Sequence, residues 1–185
     1  MKRFALVTGA SSGIGLQICY SLARRGYNII LTSRSENKLK TISELINSEF
    51  GVETTYFSCD LAEKQGPQNI YNFCESKNFQ VDVLVNNAGY ALPDAFEKNS
   101  VDDEENCIRV LGTSVISLTK LFVRDMIKNN HGKIMIVSSV AAFAPPAAIQ
   151  VMYGPLKTFM NRFSEALNIN YNSKGITSTA LCPGY

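Results

Sequence analysis

The sequence predicts an α/β fold, a doubly wound parallel sheet of six strands in three layers, α/β/α. Three observations carry that expectation. Short apolar runs alternate with longer amphipathic stretches along the chain, the βαβα pattern of a sheet covered on both faces. The apolar runs are mostly β-branched and lack polar alternation, which suits strands buried on both sides. Glycines close the amphipathic stretches: Gly26 follows Arg24-Arg25, Gly51 follows a long helical pattern, and Gly175 follows Lys174.

Taken in order, Phe4–Thr8 is the first strand, and its apolar run ends at Gly9. The helical pattern Ile14–Arg25 follows and stops at Gly26. Strand Asn28–Thr32 leads to helix Glu36–Phe50, and strand Glu53–Ser58 to helix Pro67–Lys77. Strand Val81–Val85 precedes a long helix expected over Asp102–Lys128. Strand Lys133–Val137 precedes helix Val151–Asn172, and Thr177–Leu181 is the sixth strand. The segment Ala144-Pro145-Pro146-Ala147 reads as a loop inside the domain. There is no repeat, low-complexity tract or linker, so residues 1–185 form one domain.

Composition excludes several functions. The chain of 185 residues is 45% apolar and carries a net charge of +2, with its basic residues scattered. No basic block interleaved with aromatics is present, so nucleic acid is not an expected partner. The five cysteines, Cys19, Cys59, Cys74, Cys107 and Cys182, show no metal-ligand spacing. Dispersed and odd in number, they suit a reducing compartment, and a cytoplasmic location is expected. The one histidine, His131, falls in the turn-like stretch Asn129-Asn130-His131-Gly132 and reads as a solvated loop residue. A zinc site therefore lacks a ligand set. Met1-Lys2-Arg3 runs directly into a short apolar stretch, too brief for a signal peptide, and no apolar run is expected to span a membrane.

The first strand is followed by Thr8-Gly9-Ala10-Ser11-Ser12-Gly13-Ile14-Gly15. Glycines between a strand and a helix allow a tight turn and let backbone approach a pyrophosphate, and the helix N-terminus offers free N–H groups and a partial positive charge. The loop has no Gly-Lys-Ser/Thr, which excludes a kinase-type phosphate loop.

This sequence resembles the short-chain dehydrogenase/reductase family. The resemblance rests on that glycine loop, on Cys59-Asp60-Leu61, on Asn86-Asn87-Ala88-Gly89, on Ser138-Ser139 followed by Tyr153-Gly154-Pro155-Leu156-Lys157, and on Pro183-Gly184. It implies a Rossmann-type sheet ordered 3-2-1-4-5-6-7, with a nicotinamide dinucleotide across the switch point between strands 1 and 4. It implies cofactor contacts from Gly9, Ser11, Ser12, Gly13, Ile14, Gly15, Asp60, Leu61, Asn87, Ala88, Gly89, Pro183 and Gly184. Asp60 would accept from the adenine amino group; its other reading is a helix N-cap.

The cofactor is expected to be NADP(H). An NAD site needs a carboxylate at the end of strand 2 to accept from the ribose 2′-OH. This chain has Ser33 there, followed by Arg34, which can bind a 2′-phosphate through charge-assisted hydrogen bonds. The other reading of Arg34 is a solvated charge.

Tyr153 and Lys157 lie four apart and share one face if both are helical. A tyrosine ordinarily titrates at about pH 10 and a nearby ammonium favours its phenolate. The resemblance assigns Tyr153 as acid/base and Lys157 as its partner and a holder of the nicotinamide ribose. Ser139 is the choice for binding the substrate oxygen, with Ser138 the alternative; Ser139 lies one position further from Tyr153 than the family spacing, which a loop absorbs cheaply. The expected activity is hydride transfer between NADPH and an alcohol or carbonyl. The apolar loop Val140–Pro146 suggests a lipophilic substrate, and a homodimer or homotetramer is expected.

Two departures from the family are visible. Arg109 stands where many members carry an asparagine that bends the helix and holds a water in a proton relay, and an arginine cannot accept a hydrogen bond. The family's seventh strand and substrate lid would lie beyond Pro183-Gly184, so the resemblance implies a C-terminally truncated member. A cofactor-binding module without turnover is the competing reading.

Overall fold

A computed structural model of the chain describes residues 3–145 and 150–184, so Pro146, in the apolar loop, lies outside the described residues. Six parallel strands form one sheet in the order β3-β2-β1-β4-β5-β6. They are β1 (Arg3–Thr8), β2 (Asn28–Ser33), β3 (Thr54–Ser58), β4 (Gln80–Asn86), β5 (Gly132–Val137) and β6 (Ile176–Leu181). The helices are α1 (Gly13–Ala23), α2 (Glu36–Phe50), α3 (Gly66–Ser76), α4 (Val101–Ile108), α5 (Ser114–Lys128) and α6 (Tyr153–Tyr171). The expected order of strands 1 to 6 is therefore the one observed.

The alternation of side chains along each strand builds two cores. In β1, Phe4 and Leu6 face one side and Ala5 and Val7 the other, as a period of two requires. The first side packs with Ile70 of α3, Leu118 and Phe122 of α5, and Met160 of α6. The second packs with Cys19 and Leu22 of α1 and Leu39, Ile42 and Ile46 of α2. Because helices cover both faces, the strands need apolar residues on both, which is why their sequences show no polar alternation.

Gly51 caps α2 with φ 66°, in the left-handed region that an L side chain avoids. The long helix expected over Asp102–Lys128 is interrupted by a π-turn at Arg109–Thr113, in which the Ser114 N–H donates to the Arg109 carbonyl. The Ser114 hydroxyl donates to the Val110 carbonyl at 2.7 Å. This helical run, Val101–Lys128, is 28 residues long and contains a window apolar enough to cross a membrane by length and composition alone, a test that the core helix of a soluble protein also passes. Here it lies along the sheet, with Leu118, Phe122 and Met126 buried in the core.

His131 is not the solvated residue expected: it is half-buried immediately before β5, and its Nε2 is enclosed without a hydrogen-bond partner among the described residues.

Candidate active site

β1 sits between β2 and β4, so the strand order reverses there and the loops leaving the carboxyl ends diverge to opposite faces of the sheet. The crevice so formed is a cavity of about 1270 Å³. Every strand contributes to it through the segment at its carboxyl end: Gly9 after β1, Arg34 after β2, Asp60 after β3, Asn87 after β4, Ser138 after β5 and Pro183 after β6.

The glycine loop forms one wall. Ser11, Ser12, Gly13 and Ile14 line the cavity with Gly9, and Ser12 caps α1 with no side-chain hydrogen bond, leaving the first amides of α1 free. Gly9 has φ 66°, and a Cβ there would lie 2.8 Å from the Asn87 amide nitrogen and 2.9 Å from the Ala88 Cα. Gly15 is not on the wall; it is buried behind the loop, where a Cβ would strike the Gly9 carbonyl.

The loop after β4 is tied to β1. The Thr8 hydroxyl accepts from the backbone N–H groups of Asn87 and Ala88, both at 2.9 Å, and the Asn87 amide donates to the Thr8 carbonyl at 2.8 Å. These bonds pack Asn87 and Ala88 against the glycine loop, and Gly89 follows them on the cavity wall. Asp60 accepts from the Ala62 N–H at 2.9 Å; α3 begins only at Gly66, so Asp60 makes a local turn and is not that helix's N-cap. Leu61 lines the cavity beside it.

At the other end α6 begins at Tyr153, and its first turn carries Tyr153 and Lys157 into the cavity. Lys157 is 4% exposed, and its ammonium donates to the Val137 carbonyl at 2.8 Å. The same Nζ stands 5.4 Å from the centre of the Tyr153 ring. Burial pushes the Lys157 pKa down to about 8, opposed by Cys107 and Cys182 nearby.

The two serines after β5 differ. The buried Ser138 donates to the Lys157 carbonyl at 2.9 Å, so its proton is committed. The Ser139 Oγ accepts from the Ala141 N–H at 3.1 Å, which leaves its own proton free to donate. Ser138 is on the cavity wall and Ser139 stands beside it, half-buried.

Arg109 takes no part. Its guanidinium pairs with Glu105 at 3.0 Å on the outer face of the helix, with side chains 45% and 54% exposed. Asn106 and Val110, one turn apart, line the cavity instead. Sequence reasoning also missed Lys38 and Tyr90, both on the wall. Lys38 had a usable signal, since it lies four residues beyond Arg34. Tyr90 had none, because its placement depends on how the loop after β4 folds back. Burial raises the pKa of Tyr90, with Cys107 adding to the shift, Arg34 opposing it and Asp60 and Asp103 adding.

A parallel sheet of this order, opened at its switch point by a glycine loop, is the Rossmann-type arrangement of dinucleotide-binding proteins. The family model described as short chain dehydrogenase matches residues 3–185, and the chain belongs to that family. It is 35% identical over 191 residues to a very-long-chain 3-oxoacyl-CoA reductase of Danio rerio, covering 100% of this chain and 60% of that protein. It is 34% identical over 188 residues to 17-beta-hydroxysteroid dehydrogenase type 3 of Rattus norvegicus, covering 99% and 60%. Among solved structures, a short-chain dehydrogenase from Sphingobium yanoikuyae in complex with NADPH matches with a TM-score of 0.92 and 27% identity, covering 100% of this chain and 71% of that one. The chain thus spans about 60% of the length of these curated relatives.

Proposed function

We propose that the chain carries the cofactor and proton-transfer machinery of an NADP(H)-dependent oxidoreductase acting on an alcohol or carbonyl group. One observation carries the reading: Tyr153 and Lys157 share a cavity with Arg34 and with a carboxylate-free end of β2. The residues present fit the cofactor. The uncapped start of α1 suits the pyrophosphate. Ser33 and Arg34 suit a 2′-phosphate, and Asp60 suits the adenine amino group. The nicotinamide, when bound, supplies or accepts the hydride.

In this reading Tyr153 gives a proton to the carbonyl oxygen, or takes it from the alcohol. Lys157, buried with its ammonium beside the Tyr153 ring, fixes the charge next to the proton-transfer group and holds the nicotinamide ribose. Ser139, with its proton free, donates to the substrate oxygen. Asn87, Ala88, Gly89, Pro183 and Gly184 flank the cofactor.

The substrate is lipophilic. Phe143 is 74% exposed and Val151 46% exposed, on the two sides of the loop before α6, and both are available to an apolar ligand. The names of the relatives from Danio rerio and Rattus norvegicus support an acyl or steroid carbonyl. The five thiols are unpaired, which supports a reducing, cytoplasmic setting. The Val101–Lys128 helix is read as a core helix, since 56% of its most apolar window is buried. Nucleic acid is not a partner in this reading, and the assembly is a homodimer or homotetramer.

The test is NADPH oxidation against a panel of lipophilic ketones, beside NADPH binding. Oxidation with binding supports the reading. Binding without oxidation supports a cofactor-binding module instead.

A further inference from the structure

Two helices open onto the cavity without a side-chain cap. The start of α1 faces the glycine loop, and the start of α2 faces the end of β2. Ser35 is the N-cap of α2 and its side chain makes no capping bond, so the first-turn amides of α2 lack acceptors. Ser33 accepts from the Ser35 N–H at 3.3 Å, which leaves the Ser33 proton free to donate. Beneath them Thr32, 1% exposed, has an Oγ1 with no partner, and it lines the same cavity.

Arg34, in the turn between β2 and α2, and Lys38, in the first turn of α2, are both on the wall. Both are exposed. Among the described residues neither side chain makes an ion pair or hydrogen bond. That holds even though Glu36 lies between them in the sequence and in the first turn of α2. Two unpaired cations, two serine hydroxyls with protons to donate and an uncapped helix start thus line the same end of the cavity, a donor set suited to an anion.

We propose that Lys38 is a second specificity-determining residue, closing with Arg34 on the 2′-phosphate of the cofactor; this rests on the NADP(H) reading above. Arg34 offers a planar fork that two phosphate oxygens can share, and Lys38 adds a point charge on a flexible stem for the third. The pyrophosphate is held elsewhere, at the start of α1, so Lys38 acts on the 2′-phosphate alone.

The test uses adenosine 2′,5′-bisphosphate and adenosine 5′-monophosphate as probes, titrated calorimetrically into the wild-type chain, Lys38→Ala and Lys38→Arg. In Lys38→Ala the bisphosphate should weaken by about three- to tenfold, the range for a solvent-exposed charge-assisted contact. The monophosphate should be unchanged, and Lys38→Arg should restore most of the loss. If Lys38→Ala weakens both probes equally, or neither, while the wild type still prefers the bisphosphate, the role of Lys38 is overturned and the NADP(H) reading stands. If the wild type binds both probes alike, the NADP(H) reading itself falls, and this inference with it.

Discussion

The Lys157 ammonium stands 5.4 Å from the centre of the Tyr153 ring while donating a 2.8 Å hydrogen bond to the Val137 carbonyl at the end of β5. The lysine is thus anchored to the sheet and the tyrosine is positioned by the lysine's helix. Replacing Tyr153 by Phe keeps the ring and the packing and removes only the transferable proton. Tyr153→Phe should abolish turnover of a carbonyl substrate and leave the affinity for NADPH unchanged. Turnover retained in that variant would point to another acid.

Lys157 also makes stability depend on pH. Its folded pKa is lowered from 10.5 to about 8, so the unfolded chain binds more protons between those values. Stability from this group therefore rises as pH climbs from about 8 to 10.5 and is at its poorest below 8. Lys157→Met should remove that slope. Relative to wild type, the variant's stability should be higher at pH 7 than at pH 10 by about 1–3 kcal/mol, read from urea titrations at both. An unchanged difference between the two pH values would mean the ammonium is not buried in solution.

The serines after β5 separate by what each one's proton does. Ser138→Ala removes a buried hydrogen bond and should cost about 1 kcal/mol of stability. Ser139→Ala should leave stability nearly unchanged and lower turnover by about 10²-fold, the scale for losing one donor to a developing oxyanion. The reverse pattern would make Ser138 the substrate-binding serine.

Arg34→Ala should weaken NADPH far more than NADH. The side chain is exposed and unpaired, so its loss costs the fold nothing that a thermal melt would register. Equal losses for both cofactors, measured by fluorescence titration, would remove the basis for NADP(H) preference.

Gly9 tests the glycine loop. Gly9→Ala imposes a side chain at φ 66° and sets a Cβ 2.9 Å from the Ala88 Cα. The loop must shift, so stability should fall by more than about 2 kcal/mol and cofactor binding should be lost. Arg109→Ala provides the contrast: an exposed pair with Glu105 is worth little, so stability should change by less than about 0.5 kcal/mol and turnover should hold.

Much of this molecule was legible from sequence because local rules and global packing agree. Gly51 and Gly175 fall just past helical segments and adopt the left-handed conformation that their place demands. The buried strands had to be apolar on both faces, and they read that way. The misreadings have physical causes. The π-turn at Arg109–Thr113 leaves the helical periodicity of the sequence intact on either side, so a single unbroken helix was expected. His131 sits among turn residues, yet its enclosure depends on how α5 meets β5.

The sequence by itself determined the fold class, the strand order implied by its family, and the elements that carry the site, since these follow from periodicity, punctuation and short motifs. Only the tertiary structure decided that Arg109 turns outward, that Ser138 is committed to the Lys157 carbonyl, and that Lys38 and Tyr90 join the cavity wall. The reason is that a sequence position fixes which element a side chain belongs to. Which groups it meets depends on how separate elements pack, and contacts between residues 19 apart, such as Ser138 and Lys157, arise only once the sheet and its helices are assembled.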